Sequence, residues 1–372
     1  VVVHCADAHL DRVFGGSSVS DAARSRAEEL KMAFERVVEL ARSERADVLL
    51  LAGDLFESET VRKPTVERAR DLLASLGEMQ VFIAPGNHDP FTRTSYYATL
   101  SWPPNVTVFG PEWRAVGVRG RKAFVHGWGF PNPHVSERVL ERLRVAHPDA
   151  INIALVHGSD DEFPSAEERY LPLSRDDCLA CGADYVALGH FHVHRVVAER
   201  AGILAAYPGA PESLDFGQSG RHGVLVGKIS KEGNALRLVE IGAREHISLE
   251  LDVTGAKAPE EVRDRVLAAA SMEDRRRHFY RVTLSGEVEP ALELDTEGLA
   301  RELAGGDGFH YVELADRTRP EYDLQALAGE DTLRGRFVSR LLQELHSAAN
   351  DEERREIELA LRFGLRALEE AR

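Results

Sequence analysis

The sequence predicts a layered α/β domain over residues 1–245, a small α+β module over 246–318 and a helical hairpin over 319–372. Three observations carry this reading. Short apolar runs alternate with amphipathic stretches through the first two thirds of the chain, and unbroken apolar runs of that kind mark strands covered on both faces. After Arg195 the helical stretches stop and short alternating strands follow one another. At 372 residues the chain exceeds one typical domain of about 100–200 residues.

The elements follow in order. Val1–His4 is a β-branched run. Ser20–Arg42 carries helical periodicity, with Leu30, Phe34, Val37, Val38 and Ala41 on one face. Asp47–Leu51 reads as a strand, Pro64–Leu76 as a helix and Gln80–Ala84 as a strand. Strands are predicted at Ala123–His126, Ile151–Val156 and Tyr185–Leu188, with a helix near Ser136–Ala146. Arg195–Ala198, Leu204–Tyr207, Gly223–Ile229 and Leu236–Ile241 are short strands that extend the first sheet or pair with it. The second module reads as helix Pro259–Ala270, strand Phe279–Leu284, helix Asp295–Ala304 and strand His310–Leu314. In the tail, Leu333, Phe337, Leu341 and Leu345 form one stripe and Ile357, Leu361, Leu365 and Leu368 another. Asn350 and Asp351 stand between them as a turn and N-cap.

Composition narrows the class. Apolar residues at 43% and charged residues at 29% exclude a fibrous or wholly disordered chain. No apolar run reaches the ~18–20 residues that cross a bilayer, and no basic stretch with an apolar core opens the sequence. Cys5, Cys178 and Cys181 are too few for a disulfide framework, so a reducing cytoplasm is the expectation. The sequence opens at Val1 without a methionine, so a few native residues are expected to precede it. A net charge of −16 argues against a simple nucleic-acid coat protein.

The chemistry lies at the strand ends. Asp7 and His9 follow VVVH, Asp54 follows DVLLLAG, and Asn87, His88 and Asp89 follow QVFIAPG; His157 follows INIALV, and His190 and His192 follow ADYVALG. Ligands of α/β sheets bind outside the carboxyl ends of the strands, so these clusters should converge on one place. Two Asp, one Asn and four His offer oxygen and nitrogen donors without thiolate, which suits Mn²⁺, Fe²⁺, Zn²⁺ or Co²⁺ rather than a closed structural zinc site. Seven donors exceed the need of one ion with an open position. They suffice for two ions sharing a carboxylate, a pair that activates water and clamps a phosphoryl group. Gly53, Gly86 and Gly189 let the backbone turn sharply there.

D-x-H (Asp7, His9), G-D (Gly53, Asp54), G-N-H-D (Gly86 to Asp89), H-G (His157, Gly158) and G-H-x-H (Gly189 to His192) resemble the signature of the calcineurin-like metallophosphoesterases. HCADAHLD, AGDLF, PGNHDP, ALVHGS, ALGHFH and the segment Tyr207–Gly223 resemble, more narrowly, the SbcD and YhaO-like branch of DNA double-strand-break repair exonucleases. The motifs cover residues 1–245. The resemblance implies an α/β/β/α sandwich with a capping domain, a dinuclear and Mn-preferring centre, and hydrolysis of DNA phosphodiesters. It implies Asp7, His9 and His192 on one metal, Asn87, His157 and His190 on the other, and Asp54 bridging. His88 would contact the scissile phosphate and protonate the leaving oxygen, with Asp89 orienting it. Some relatives carry a histidine three residues after the bridging aspartate, implicated in positioning DNA; Glu57 stands there in this sequence. The resemblance further implies a homodimer and a coiled-coil ATPase partner of the SbcC type.

Other features keep two readings. Arg12 and Arg93 flank the first and third motifs as substrate contacts, and Arg114, Arg119, Arg121 and Lys122 offer a local positive track that the net charge conceals. In the loop Pro90–Pro104, Tyr96, Tyr97 and Trp102 either stack on an unpaired base or pack the loop. Cys178 and Cys181 are a redox or zinc pair, or two buried small apolar residues. His4, His194 and His222 read as structural. The tail closes its own module, or docks the ATPase through Leu333, Phe337, Leu341 and Leu345. An enzyme of the same fold acting on small phosphodiesters or phosphomonoesters is the alternative function.

Overall fold

The computed structural model describes residues 1–13, 21–162, 170–218, 220–304 and 308–370. Ser20, at the start of the first predicted helix, and Ser219, within the segment Tyr207–Gly223, lie outside the described residues. The chain forms two compact units: Val1–Ser248 with Glu273–Arg281 and Phe309–Tyr311, and Leu249–Met272 with Val282–Gly308 and Val312–Arg372.

The N-terminal elements are β1 (Val2–Cys5), α1 (Asp21–Ser43), β2 (Val48–Leu51), α2 (Lys63–Ala74), β3 (Gln80–Ile83), α3 (Tyr96–Thr99), β4 (Val106–Val108), β5 (Arg114–Gly117) and β6 (Ala123–Gly127). There follow β7 (Ile151–His157), α4 (Arg175–Ala180), β8 (Tyr185–Gly189), β9 (Arg195–Glu199), β10 (Ile203–Tyr207), β11 (Gly223–Lys228) and β12 (Ala235–Glu240). They build two six-stranded sheets, ordered β12-β11-β1-β2-β3-β4 and β5-β6-β7-β8-β10-β9. β1 to β4 run parallel in the first, and β6, β7, β8 and β10 in the second.

The period-2 alternation of each strand explains the layers. Val2, Val48, Leu50 and Phe82 from the first sheet meet Val125, Ile153, Leu155 and Tyr185 from the second in one core between the sheets. The alternate residues Val3, Leu49, Leu51, Val81 and Ile83 pack against Phe34, Val37 and Val38 of α1 and Val66 and Leu73 of α2. On the far side, Ala154, Val156, Val186 and Leu188 pack against Val139, Leu140, Leu143 and Cys178. The result is an α/β/β/α sandwich whose central strands are buried on both faces. Each such Leu or Phe contributes about 1.5–3 kcal/mol by burial.

The helix expected near Ser136–Ala146 is only the 3₁₀ turn Val139–Arg142. Pro148 follows closely, and the turn needs only Val139, Leu140 and Leu143 to cover the sheet. β4, β5 and α3 escaped sequence reading because they are three or four residues long and only partly buried.

The remaining elements are β13 (His246–Asp252), α5 (Pro259–Ala268), α6 (Met272–Arg277), β14 (Phe279–Ser285), β15 (Glu287–Val288), α7 (Thr296–Leu303), β16 (Tyr311–Asp316), β17 (Arg319–Pro320), α8 (Leu324–Ala328), α9 (Leu333–Ser347) and α10 (Asp351–Glu370). β13, β14 and β16 form a three-stranded sheet. The Asn350 side chain accepts a hydrogen bond from Glu353 N at 2.9 Å, capping α10. Among the tail stripe, Leu333 is 73% exposed. Phe337 and Leu341 instead pack on Leu327, Val338, Leu361 and Leu365, so these two positions contribute to the tail's own core. A helix this short of partners buries its own apolar residues first.

Candidate metal centre

Every predicted donor stands just beyond, or at, the carboxyl end of a parallel strand: Asp7 and His9 after β1, Asp54 after β2, Asn87 after β3, His157 at the end of β7, His190 and His192 after β8. The two parallel sheets bring them together. Asp7, His9 and His192 offer ligand atoms within 4.8 Å of one another, as do Asp54, His157 and His190. Asn87 Oδ1 lies 2.9 Å from His157 Nε2. Asp54 Oδ2 lies 3.3 Å from His157 Nε2 and 3.7 Å from His9 Nε2, between the two groups.

The local backbone is bent to achieve this. Asp7, His9, Asp54 and His190 have φ of 55°, 43°, 51° and 121°, a region that costs a non-glycine residue about 1–3 kcal/mol. Cross-strand bonds hold them there: Asp7 N donates to Gly53 O at 3.0 Å and His9 N to Asp54 O at 2.9 Å. A Cβ on Gly53 would overlap the His157 ring, and one on Gly86 the Asp54 carboxylate. The glycines preceding the donors therefore leave room for the neighbouring donor.

Each donor is also steadied from behind. Asp54 Oδ1 accepts from His88 N at 2.9 Å, and the Asp7 carboxylate accepts from His190 N at 3.0 and 3.1 Å. His157 Nδ1 donates to Ala52 O at 2.9 Å, which aims Nε2 inward. His9 Nδ1 lies 3.2 Å from Glu57 Oε2. Facing ring nitrogens then crowd the centre, His9 Nε2 to His192 Nε2 at 3.1 Å and His190 Nδ1 to His157 Nε2 at 3.3 Å.

Electrostatics match a cation-binding cradle. Burial raises Asp7 to about 7, reinforced by the Asp54 charge. Asp54 is held well below the usual carboxylate range, because His157 and His9 outweigh the effect of burial. Burial would lower His157, but Asp54 dominates and pushes it up to about 9. Burial, with His157 beside it, drops His190 to about 3, and burial lowers His9 and His192 as well. Neutral imidazoles at His9, His190 and His192 thus present lone pairs beside buried carboxylates, while His157 is held to Asp54. Donors bound at about 2.0–2.2 Å to a shared ion sit roughly 3 Å apart, which is the spacing of these facing atoms. The residues fit two divalent cations of the oxygen- and nitrogen-seeking kind.

His88 stands at the rim, its side chain 42% exposed. Its Nδ1 lies 2.7 Å from Glu57 Oε1, and that hydrogen bond raises its pKa. The expectation that Asp89 orients His88 is corrected here: Asp89 accepts from Gly86 N, Asp54 N, Phe56 N and Tyr97 Oη, at 2.8, 3.1, 3.1 and 2.6 Å. It pins the β2 and β3 loops together, and Glu57 orients His88. Glu57, expected as a substrate contact, has its two oxygens against His88 and His9, which bring it down to about 2 against the pull of burial, and it also lines the cavity beside His88.

Other predicted residues separate. Arg12 is half-buried beside the centre, and its charge lowers His9 and His192. Arg93 is exposed and does not line the cavity of about 550 Å³ that His88, Asn87, Tyr96, His134 and Tyr170 border. Arg121 pairs with Asp47 at 2.8 Å and Arg119 with Glu78 at 3.5 Å, near the amino ends of β2 and β3. They and Lys122 sit at the opposite pole from the donors, so they form no track into the centre. Tyr97 is buried and stacks on Trp102 at 5.7 Å, so these two pack the loop, while Tyr96 and Tyr97 both border the cavity and Trp102 does not. Cys178 is buried and burial raises its thiol pKa, as it does for Cys181. His4, His194 and His222 bind Leu188 O, Tyr207 O and Ala210 O.

Sequence reading missed Tyr170, whose ring lies 5.6 Å from that of His190, and Gln218, whose Nε2 lies 2.8 Å from His192 Nδ1. Gln218 falls inside the segment Tyr207–Gly223, so its signal was present as resemblance without a role.

A calcineurin-like phosphoesterase family model matches residues 1–194, just over half of the chain. The chain is 30% identical over 235 residues to the uncharacterized metallophosphoesterase YhaO of Bacillus subtilis, covering 59% of this chain and 55% of the relative. It is 28% identical over 374 residues to the DNA double-strand break repair protein Mre11 of Methanopyrus kandleri, covering 91% and 77%. It is 25% identical over 258 residues to the SbcD component of the SbcCD nuclease of Bacillus subtilis, covering 59% and 63%. The match thus spans about half the length of the YhaO relative.

Proposed function

The chain belongs to the calcineurin-like phosphoesterase family, and from that premise we propose that it is a Mn²⁺-dependent phosphodiesterase that cleaves DNA in end processing and double-strand-break repair. The observation that carries the reading is the convergence of seven oxygen and nitrogen donors beside an exposed histidine. Relatives named for double-strand break repair and for the SbcCD nuclease support DNA as the substrate.

A pair of divalent cations supplies, when bound, acidification of water and neutralisation of phosphoryl charge. One would be held by Asp7, His9 and His192 and the other by Asn87, His157 and His190, and Asp54 would serve both. His88 gives its proton to the leaving oxygen through Nε2, since Glu57 occupies Nδ1. General acid catalysis of this kind contributes about 10²–10⁴-fold. Residues 246–318 serve as a capping domain and 319–372 as the docking segment for an SbcC-like ATPase, in a cytoplasmic homodimer.

Action on small phosphodiesters is the second reading. It is favoured by the net charge of −16 and by a cavity beside His88 that, among the described residues, Glu57, Glu59 and Asp89 line and no Lys or Arg does. Nucleotide release from linear duplex DNA in Mn²⁺, against hydrolysis of a chromogenic diester, separates the two. Wild type should degrade DNA, and His88→Ala should lose at least about 100-fold. Cleavage of the diester but not of DNA, even with an SbcC-like ATPase added, overturns the DNA reading.

A further inference from the structure

We infer that Glu57 is a positioning residue shared by two groups, its one carboxylate setting the ring of the metal donor His9 and the ring of the proton donor His88 together. The inference rests on the reading of His9 as a cation ligand and of His88 as the acid.

Glu57 stands between the buried His9 and the exposed His88 at the rim. Its Oε2 lies 3.2 Å from His9 Nδ1 and its Oε1 lies 2.7 Å from His88 Nδ1. The two rings meet edge to face, with centroids 4.9 Å apart. The main chain brings all three residues to this spacing. Glu57 N donates at 3.2 Å to the carbonyl of Leu10, the residue after His9, and Ser58 N donates to His88 O at 3.1 Å. Leu10 and Phe56 pair as a parallel bridge. The Glu57 carbonyl accepts from Thr60 N and Val61 N at 3.0 and 2.7 Å, which closes the turn behind it. The carboxylate therefore reaches both rings from a backbone fixed on either side.

The direction of the two bonds decides what they do. An ionised carboxylate only accepts, so both Nδ1 atoms must carry a proton. At His9 this leaves the Nε2 lone pair free, and Nε2 is the nitrogen that faces the centre, 3.7 Å from Asp54 Oδ2 and 3.1 Å from His192 Nε2. At His88 it leaves Nε2 to carry the proton that is transferred. One residue thus gives a donor ring the tautomer a ligand needs and fixes the acid ring beside it. A neutral side chain cannot serve both. An amide accepts from one ring through its oxygen and turns an N–H toward the other, which moves that ring's proton to Nε2. A histidine, which some relatives carry at this place, has at most one acceptor nitrogen.

The test is a Mn²⁺ titration of the full chain by calorimetry on wild type, Glu57→Leu and Glu57→Gln. It is joined to hydrolysis, at saturating Mn²⁺, of two diesters: one that releases nitrophenolate and a dinucleotide that releases an alkoxide. Wild type should bind two ions and cleave both diesters. Glu57→Leu should weaken one ion about 10–100-fold and leave the other as in wild type. Its kcat on the dinucleotide should fall about 100-fold. On the nitrophenyl diester, whose leaving group needs no proton, the fall should be less than about 10-fold. Glu57→Gln should show at least one of the two losses, in ion affinity or in the alkoxide reaction, and it decides the matter if Glu57→Leu does not fold. Wild-type affinity of Glu57→Leu for both ions overturns the proposal, as does wild-type behaviour of Glu57→Gln on both counts. Equal loss on the two diesters overturns it too, because it marks a structural role alone. If wild type binds no divalent ion, or cleaves neither diester, the reading of the centre itself fails, and that failure is seen without any variant.

Discussion

The strand-end centre and the helical tail are built on opposite terms. At the centre, Asp7, His9, Asp54 and His157 are buried although they are polar, and several take backbone conformations that ordinary side chains avoid. In the tail, Leu327, Val338, Leu361 and Leu365 are buried because they are apolar, and α9 and α10 have unexceptional helical caps. The first region holds buried polar groups and strained backbone that bound cations would further stabilise. The second needs no ligand to account for its fold. The difference teaches where residue identity is informative: each polar residue at the centre has one partner set that suits it, whereas an apolar position in the tail accepts any residue of similar size.

The comparison breaks first at Asp54, the carboxylate placed between the two donor groups. Asp54→Ala should abolish phosphodiester cleavage, by at least about 10³-fold, since on the proposed assignment both cations would lose a donor, and His88 N loses its acceptor. The same variant should lose the stabilisation by Mn²⁺ expected of wild type, about 2.7 kcal/mol at an ion concentration 100 times Kd. Thermal melting with and without Mn²⁺ measures both states. If the Asp54→Ala variant melts with the same metal-dependent shift as wild type, the donors do not form one centre.

The tail should respond differently. Leu365 is fully buried against Val338 and Leu361, and Leu365→Ala should cost about 2–5 kcal/mol locally. Hydrogen exchange should then show lost protection in α9 and α10, while hydrolysis of a small diester stays at the wild-type rate. A parallel loss of that hydrolysis would mean that the tail supports the centre, and the contrast would collapse.

These contrasts also explain what the sequence made legible. The layered α/β domain could be read because β1, β2, β7 and β8 are apolar on both faces, with the four-layer order coming only from the family resemblance, and the donors could be read because each follows such a run. The 3₁₀ turn at Val139–Arg142 could not, since a few apolar residues at helical spacing say nothing of how long the helix continues. Glu57 was visible as a departure from relatives, but its bonds to His88 and His9 span 31 and 48 residues of sequence. The role of Asp89 was misjudged for the same reason: adjacency to His88 suggested contact, whereas its partners come from the β2 and β3 loops. Gln218 is hidden more deeply, because a glutamine in a loop has no periodicity to reveal it.

The smallest expected effect sharpens the comparison most. Leu333 is 73% exposed at the first turn of α9, so Leu333→Ser should change the stability of the isolated chain by no more than about 0.5 kcal/mol. It should also leave Mn²⁺ binding untouched. If the tail docks a coiled-coil ATPase, burial of Leu333 in that interface is worth about 1.5–3 kcal/mol, and the variant should bind the partner roughly 10- to 100-fold more weakly. Partner affinity by calorimetry, set against unchanged melting, reads the effect directly. Unchanged affinity together with unchanged stability would remove Leu333 from any interface and leave the tail as a module that serves only its own core. A silent position in the isolated chain that becomes costly only with a partner would place the tail's function in its surface, as the centre's lies in its buried polar groups.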